Sequence, residues 1–153
     1  MSNPAPKKPS ARLAAMDLLA RREHSLAELR EKLAAREFDP EEIEAALAGL
    51  ARQGLASDAR FTEGFIAARI RKGQGPIRIR AELAERGIDA EAIARALAEA
   101  ADWLALAREV RARRFGAAAP KDFRERARQS RFLQYRGFAA DQIRAAMGGD
   151  DDE

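Results

Sequence analysis

The sequence predicts an all-α protein: three tandem three-helix repeats forming an elongated, curved helical array. Three observations predict it. Alanine occurs 36 times in 153 residues, whereas Ile, Val and Thr together occur ten times, so the best helix former is abundant and the β-branched residues that suit pleated strands are scarce. The segment LREKLAAREFDPEEIEAAL at 29–47 aligns without a gap on IRAELAERGIDAEAIARAL at 79–97 and, more weakly, on QSRFLQYRGFAADQIRAAM at 129–147, an offset of fifty residues both times. Finally, cap and breaker residues cut each copy into three helices.

The elements follow in order. A helix near 11–22 carries Leu13, Met16 and Leu19/Ala20 as an apolar stripe. Ser25 with Glu28 forms a capping box that opens a helix near 26–36, and Asp39 with Glu42 offers a second box before 40–53, where Pro40 takes the first helical position. Phe61, Phe65 and Ala68 stripe the next helix, near 58–72. The run Gly73-Gln74-Gly75-Pro76 ends that helix and restarts the chain in 76–86, and Asp89 repeats the cap of Asp39 ahead of 90–100. The third copy supplies helices near 103–115, 121–136 and 140–147. Gly87 and Gly137 stand where a helix C-terminus wants a left-handed residue, and Glu37 is a misfit at the same place in the first copy. Ala139 replaces the Asp cap, so the last helix is expected to be the weakest.

Aligned positions repeat in kind: Leu33, Leu83 and Leu133; Arg36, Arg86 and Arg136; Phe38, Ile88 and Phe138; Ile43, Ile93 and Ile143; Leu47, Leu97 and Met147. Units of under fifty residues are marginal alone and gain a continuous core by stacking. The expected organisation is a disordered tail over 1–10, repeats at 11–56, 57–101 and 102–147, and an acidic tail at 148–153. The junctions at 54–57 and 100–102 are too short for flexible linkers, whereas 116–120 could bend.

Composition excludes several classes. There is no Cys, so disulfides, thiolate nucleophiles and Cys-ligated zinc are absent, and the single His24 cannot build a histidine metal site. His24, just before the Ser25 cap, is expected to be a helix-terminal polar residue. The acidic residues sit at caps and on solvated helix faces without a partner nucleophile, so no enzyme activity, cofactor or metal is expected. No stretch approaches the roughly 20 apolar residues of a membrane span and no signal-peptide core is present, which points to a cytoplasmic protein.

The bases carry more information. Net charge by segment is 0 over 1–56, +1 over 57–101, +6 over 102–147 and −4 in the tail, so the overall +3 hides a basic third repeat. Around the glycine turn lie Arg69, Arg71, Lys72, Arg78 and Arg80, with Arg60 on the face that Arg71 shares. Arg124, Arg128, Arg131 and Tyr135 follow at i, i+4, i+7 and i+11, one stripe roughly 16 Å long that suits phosphates and a stacked base. Arg111, Arg113 and Arg114 make a third cluster.

The strings RREHSLAELREKL (21–33), LASDARFTEGFIAARIRKGQGPIRIRAELAERGID (55–89) and RFLQYRGF (131–138) resemble the RecX family of bacterial proteins that modulate the RecA recombinase. The resemblance covers roughly residues 11–147. It implies three tandem three-helix repeats, binding in the helical groove of RecA filaments on DNA, and restraint of filament growth, ATP hydrolysis and strand exchange without catalysis, in DNA repair and the SOS response. Departures are modest: Glu37 replaces a usual Gly, Leu26 stands where a polar residue is common, and Gly64 falls inside a helix. The expected partner is thus a RecA filament, with weak DNA contact by the chain alone, no membrane, and a monomeric chain. The competing reading is an autonomous DNA-binding array of helix-turn-helix-like repeats. Against it, the third helices of the repeats are Ala-rich and fit packing better than base readout.

Overall fold

The computed structural model describes residues 9–148, and these form nine α-helices with no strand. They are α1 (Ala11–Arg21), α2 (Leu26–Ala35), α3 (Pro40–Arg52), α4 (Asp58–Arg71), α5 (Pro76–Glu85), α6 (Ala90–Ala100), α7 (Trp103–Phe115), α8 (Phe123–Arg136) and α9 (Ala140–Ala146). Most of the two expected tails lies outside the described residues. Ser10, assigned to the N-terminal tail, is the N-cap of α1 and accepts from the Leu13 N–H.

The caps explain the boundaries. Ser25 and Glu28 make the expected box. Asp39 accepts from the Glu41 N–H, but Glu42 does not complete a box: its carboxylate accepts from the Ala11 N–H at 2.8 Å and ties the first turn of α1 to α3. Asp89 holds the N–H groups of Glu91 and Ala92. Helix α8 starts two residues later than expected, because Asp122 is its cap and accepts from the Glu125 N–H at 2.8 Å. Ala139 offers no side-chain cap, so Gln142 reaches back to its N–H, and α9 has only seven residues.

Two compact units divide the chain, one reaching to Phe61 and including Arg86–Ile88, the other comprising Thr62–Glu85 and the residues from Asp89 on. In the first, α1, α2 and α3 pack on one another around Leu29, Leu33, Ile43, Leu47 and Leu50. The expected stripe on α1 holds at Leu19, which packs against this core, and is corrected at Leu13 and Met16. Ala11, Ala14, Ala15 and Leu18 face the core, while Leu13 is 59% exposed and Met16 is exposed too. Alanines at i, i+3 and i+4 let α1 approach α3 closely, which larger side chains would prevent.

His24 stands directly before the Ser25 cap of α2, and it is buried there. It is 2% exposed, its Nδ1–H donates to the Arg22 carbonyl at 3.0 Å, and its Nε2 accepts from Lys32 Nζ at 3.0 Å. Burial, with Arg22 and Lys32 nearby, holds its pKa below the ordinary histidine value despite the bond to the Arg22 carbonyl. The neighbouring Ser25 hydroxyl donates to the Arg86 carbonyl at 2.8 Å. This anchors the turn after α5 on the start of α2, where a side chain at Gly87 would run into Ala27.

The second unit repeats that device. Gly75 N–H donates to the Arg136 carbonyl at 2.8 Å and Ile77 N–H to the Gly137 carbonyl at 2.9 Å, so the turn after α8 seats on the start of α5. A Cβ at Gly75 would lie 2.5 Å from the Gly137 carbonyl, and one at Gly137 would collide with Arg78. Both anchoring pairs are separated by 61 residues, as the fifty-residue repeat requires. Glu37, the counterpart of Gly87 and Gly137, holds φ at 65° but is exposed, and no described residue seats against it, so a side chain is tolerated there. In the same unit α7, α8 and α9 pack together over Ala107, Val110, Leu133, Phe138 and Met147, and α5 packs on α6.

Candidate functional site

Two of the three basic clusters expected from the sequence meet in the second unit. The C-terminus of α4 leaves carbonyls without helical partners, and Arg136 of α8 donates from Nη1 to one of them, Lys72 O, at 2.7 Å. The Arg136 guanidinium lies 4.9 Å from the centroid of Phe132, which meets Phe115 of α7 edge to face at 5.2 Å. Arg128 sits 5.1 Å from Phe115, and Arg114 sits 5.6 Å from both rings. A continuous ladder of guanidinium and phenyl groups therefore runs from the glycine turn along α7 and α8. Cation–π contacts of this kind contribute about 0.5–1 kcal/mol each at exposed positions, and here they fix where the cations sit.

The remaining bases sort by partner. Arg60 belongs to the first unit, where it pairs with Glu23 and donates to the carbonyls of Gly54 and Leu55, so it closes the loop before α4. Arg69 is half-buried, stacked at 4.5 Å on Phe65 and 3.5 Å from Glu82, and Arg78 approaches the same carboxylate at 4.0 Å. Arg71, Lys72 and Arg80 are exposed, and their side chains have no partner among the described residues. The expected convergence of five cations thus leaves three free and two held by Glu82.

In the third repeat Arg113 pairs with Glu109 at 2.8 Å, and Arg128 pairs with Glu125 at 3.2 Å. Hydrogen bonds from Arg128 first, then Gln129, hold the Glu125 carboxyl below its usual range. Arg124 and Arg131 are exposed without a carboxylate partner among the described residues, and Tyr135 is 78% exposed. Arg111 departs from the surface reading. It is 5% exposed, and its guanidinium donates to Gln129 Oε1 at 2.9 Å and to the carbonyls of Gly116, Ala117 and Ala118 at 3.2–3.3 Å. It ties down the 116–120 segment that the sequence suggested could bend.

Sequence reasoning passed over Arg136, Phe115 and Phe132 as site residues. The Phe132–Arg136 pair has the i, i+4 spacing that faces two side chains together and could have been found that way. The Phe115–Phe132 contact and the reach of Arg136 to Lys72 depend on tertiary packing and carry no local signal. The assembled surface offers fixed positive charge and flat apolar rings, suited to holding a polyanion. No group of three or more metal-ligating side chains occurs among the described residues, and none of their helices is long and apolar enough to cross a membrane.

Comparison with known proteins places these features. Family models for the first, second and third three-helix domains of RecX match residues 11–50, 57–97 and 100–147. The regulatory protein RecX of Halorhodospira halophila is 49% identical over 154 residues, covering 100% of this chain and 96% of that protein. The regulatory protein RecX of Pseudomonas savastanoi pv. phaseolicola is 49% identical over 146 residues, covering 93% and 94%. The crystal structure of RecX from Lactobacillus salivarius superposes with a TM-score of 0.75 at 22% identity, over 90% of this chain and 92% of that one, a likeness of fold.

Proposed function

The chain belongs to the RecX family of regulatory proteins, and from that premise we propose that it binds RecA recombinase filaments on DNA and restrains them. Binding in the filament groove would limit filament growth, ATP hydrolysis and strand exchange. It acts by occupancy, with no chemical step of its own. The observation that carries this reading is the match of all three family domains in order, together with near-complete coverage of relatives at about 49% identity.

The surface chemistry supports it. Arg71, Lys72, Arg80, Arg124 and Arg131 are charges that folding leaves unneutralised among the described residues, available to acidic protein surface or to phosphate. Three repeats that each make modest contacts with neighbouring filament protomers gain affinity through effective concentration.

The test is co-sedimentation with preformed recombinase filaments. Arg71→Glu, Lys72→Glu and Arg80→Glu are combined because these side chains are free of internal partners, whereas Arg78 is beside Glu82 and its reversal would disturb the fold. The variant should pellet with filaments at least tenfold more weakly while melting as the wild type does. Failure of the wild-type protein to co-sediment at all would overturn the proposal.

A further inference from the structure

We propose that the exposed face of α8 is a track for single-stranded nucleic acid, in which Arg124 and Arg131 hold phosphates and the Tyr135 ring stacks on a base. This deepens the filament-regulator reading by naming the part of the filament that the third repeat touches.

The geometry separates fixed groups from available ones. Arg128, in the middle of the stripe, is held by Glu125 at 3.2 Å and rests on Phe115, so it is a positioning residue. Arg124 and Arg131 flank it, both exposed and without a carboxylate among the described residues. They are seven residues apart, roughly 10 Å along the helix, which spans about three nucleotides at the 3.4 Å rise of a stacked strand. Arg114, held beside Phe115 and Phe132, adds a further exposed cation on the adjoining helix.

The aromatics decide the class of partner. Phe123 is 85% exposed and Tyr135 is 78% exposed, one near each end of α8. Folding leaves these rings in water, while Phe115 and Phe132 pair with each other. An acidic protein surface would satisfy the arginines alone, whereas a single strand offers its phosphates to the arginines and an unpaired flat base to the exposed ring, and every base has such a face. Duplex DNA already stacks its bases internally, so the ring points to a single strand. The platform is rigid before any ligand arrives, because the Arg111 clamp on Gln129 and the Phe115–Phe132 contact both lock α8 against α7.

The test measures fluorescence anisotropy of short labelled oligo-dT with the full chain, without recombinase, at salt between 50 and 200 mM. Arg124→Glu with Arg131→Glu should weaken binding at least tenfold and flatten the slope of log K against log salt by about 1.4, the loss of two single-strand phosphate contacts. Tyr135→Ala should weaken it at least about fivefold with the slope unchanged, and Tyr135→Phe should restore it, since stacking needs the ring and not the hydroxyl. Circular dichroism melts matching the wild type confirm that the variants are folded. Unchanged oligo-dT affinity in both variants would overturn the proposal. So would a neutral Tyr135→Ala beside a sensitive arginine pair, which would leave phosphate attraction without a stacked base. Since no recombinase is present, a filament protein that fails to respond to the wild-type chain counts against the regulator reading and leaves this measurement standing.

Discussion

Replacing Gly75 by Ala tests how the turn after α8 is held. Gly75 lies outside the left-handed region, so its need for glycine is one of space alone. An added Cβ would stand 2.5 Å from the Gly137 carbonyl carbon and oxygen and 2.6 Å from the Phe138 nitrogen, all backbone atoms that cannot rotate aside. Relief requires the turn to lift, which breaks the Gly75–Arg136 and Ile77–Gly137 hydrogen bonds at 2.8 and 2.9 Å. Two such bonds contribute about 1 kcal/mol each, and overpacking adds about 1 kcal/mol or more, giving a loss of about 3 kcal/mol. For a chain of this length that lowers the melting midpoint by roughly 6–12 °C. Far-UV circular dichroism follows the helices, and Trp103, whose indole N–H donates to the Leu97 carbonyl at 2.8 Å, follows the start of the third repeat. A Gly75→Ala protein that melts with the wild type would refute the close backbone approach.

Three further substitutions probe other parts of the molecule. Gly64 lies exposed inside α4, and a Cβ there meets nothing within 4 Å, so Gly64→Ala should stabilise by about 1 kcal/mol and raise the midpoint a few degrees; a lowered midpoint would contradict this. Arg111→Met removes a buried guanidinium with four hydrogen bonds and should cost about 3 kcal/mol by urea denaturation, most of it from carbonyls and Gln129 left unpaired. His24 has a folded pKa below its unfolded value, so the unfolded chain takes up the proton first as pH falls. The stability from neutral His24 is complete above about pH 6.5 and is lost as pH drops through the folded value. His24→Gln should abolish the part of the pH dependence that begins as pH falls below about 6.5, and an unchanged profile would show that another group is responsible.

The helices were legible because their ends are written in short-range chemistry. Ser25, Asp39, Pro40, Asp89 and the left-handed glycines act within one turn, and the fifty-residue repeat carries each boundary to the next copy. Packing was less legible. Leu13 and Met16 outweigh three alanines on any apolarity count, yet the alanines face inward because close helix approach rewards small side chains. Arg111 reads as part of a surface cluster and His24 as a helix-terminal polar residue, and only the folded structure supplies the carbonyls and the Lys32 ammonium that satisfy them in the interior. The candidate site was half legible. Its charge stripe on α8 follows from helical spacing, but the link to the glycine turn runs through Arg136 and Lys72, 64 residues apart.

The glycine turn itself changes meaning. What reads in sequence as a loop gathering cations is also the seat for the turn after α8: the N–H groups of Gly75 and of Ile77 at the start of α5 donate to carbonyls of the third repeat, while those of Gly73 and Gln74 donate back to α4. That leaves side chains, not the helix N-terminus, to meet a polyanion. Arg71, Lys72 and Arg80 beside the turn, with Arg124 and Arg131 on α8, supply them.

The proposed restraint of a recombinase filament rests on binding alone. It is tested most directly by titrating the full-length protein into RecA hydrolysing ATP on single-stranded DNA. Hydrolysis should fall progressively at or below one chain per recombinase protomer, with the Arg71, Lys72 and Arg80 triple reversal shifted to higher concentration. Hydrolysis that stays constant as the protein is added in excess would contradict it.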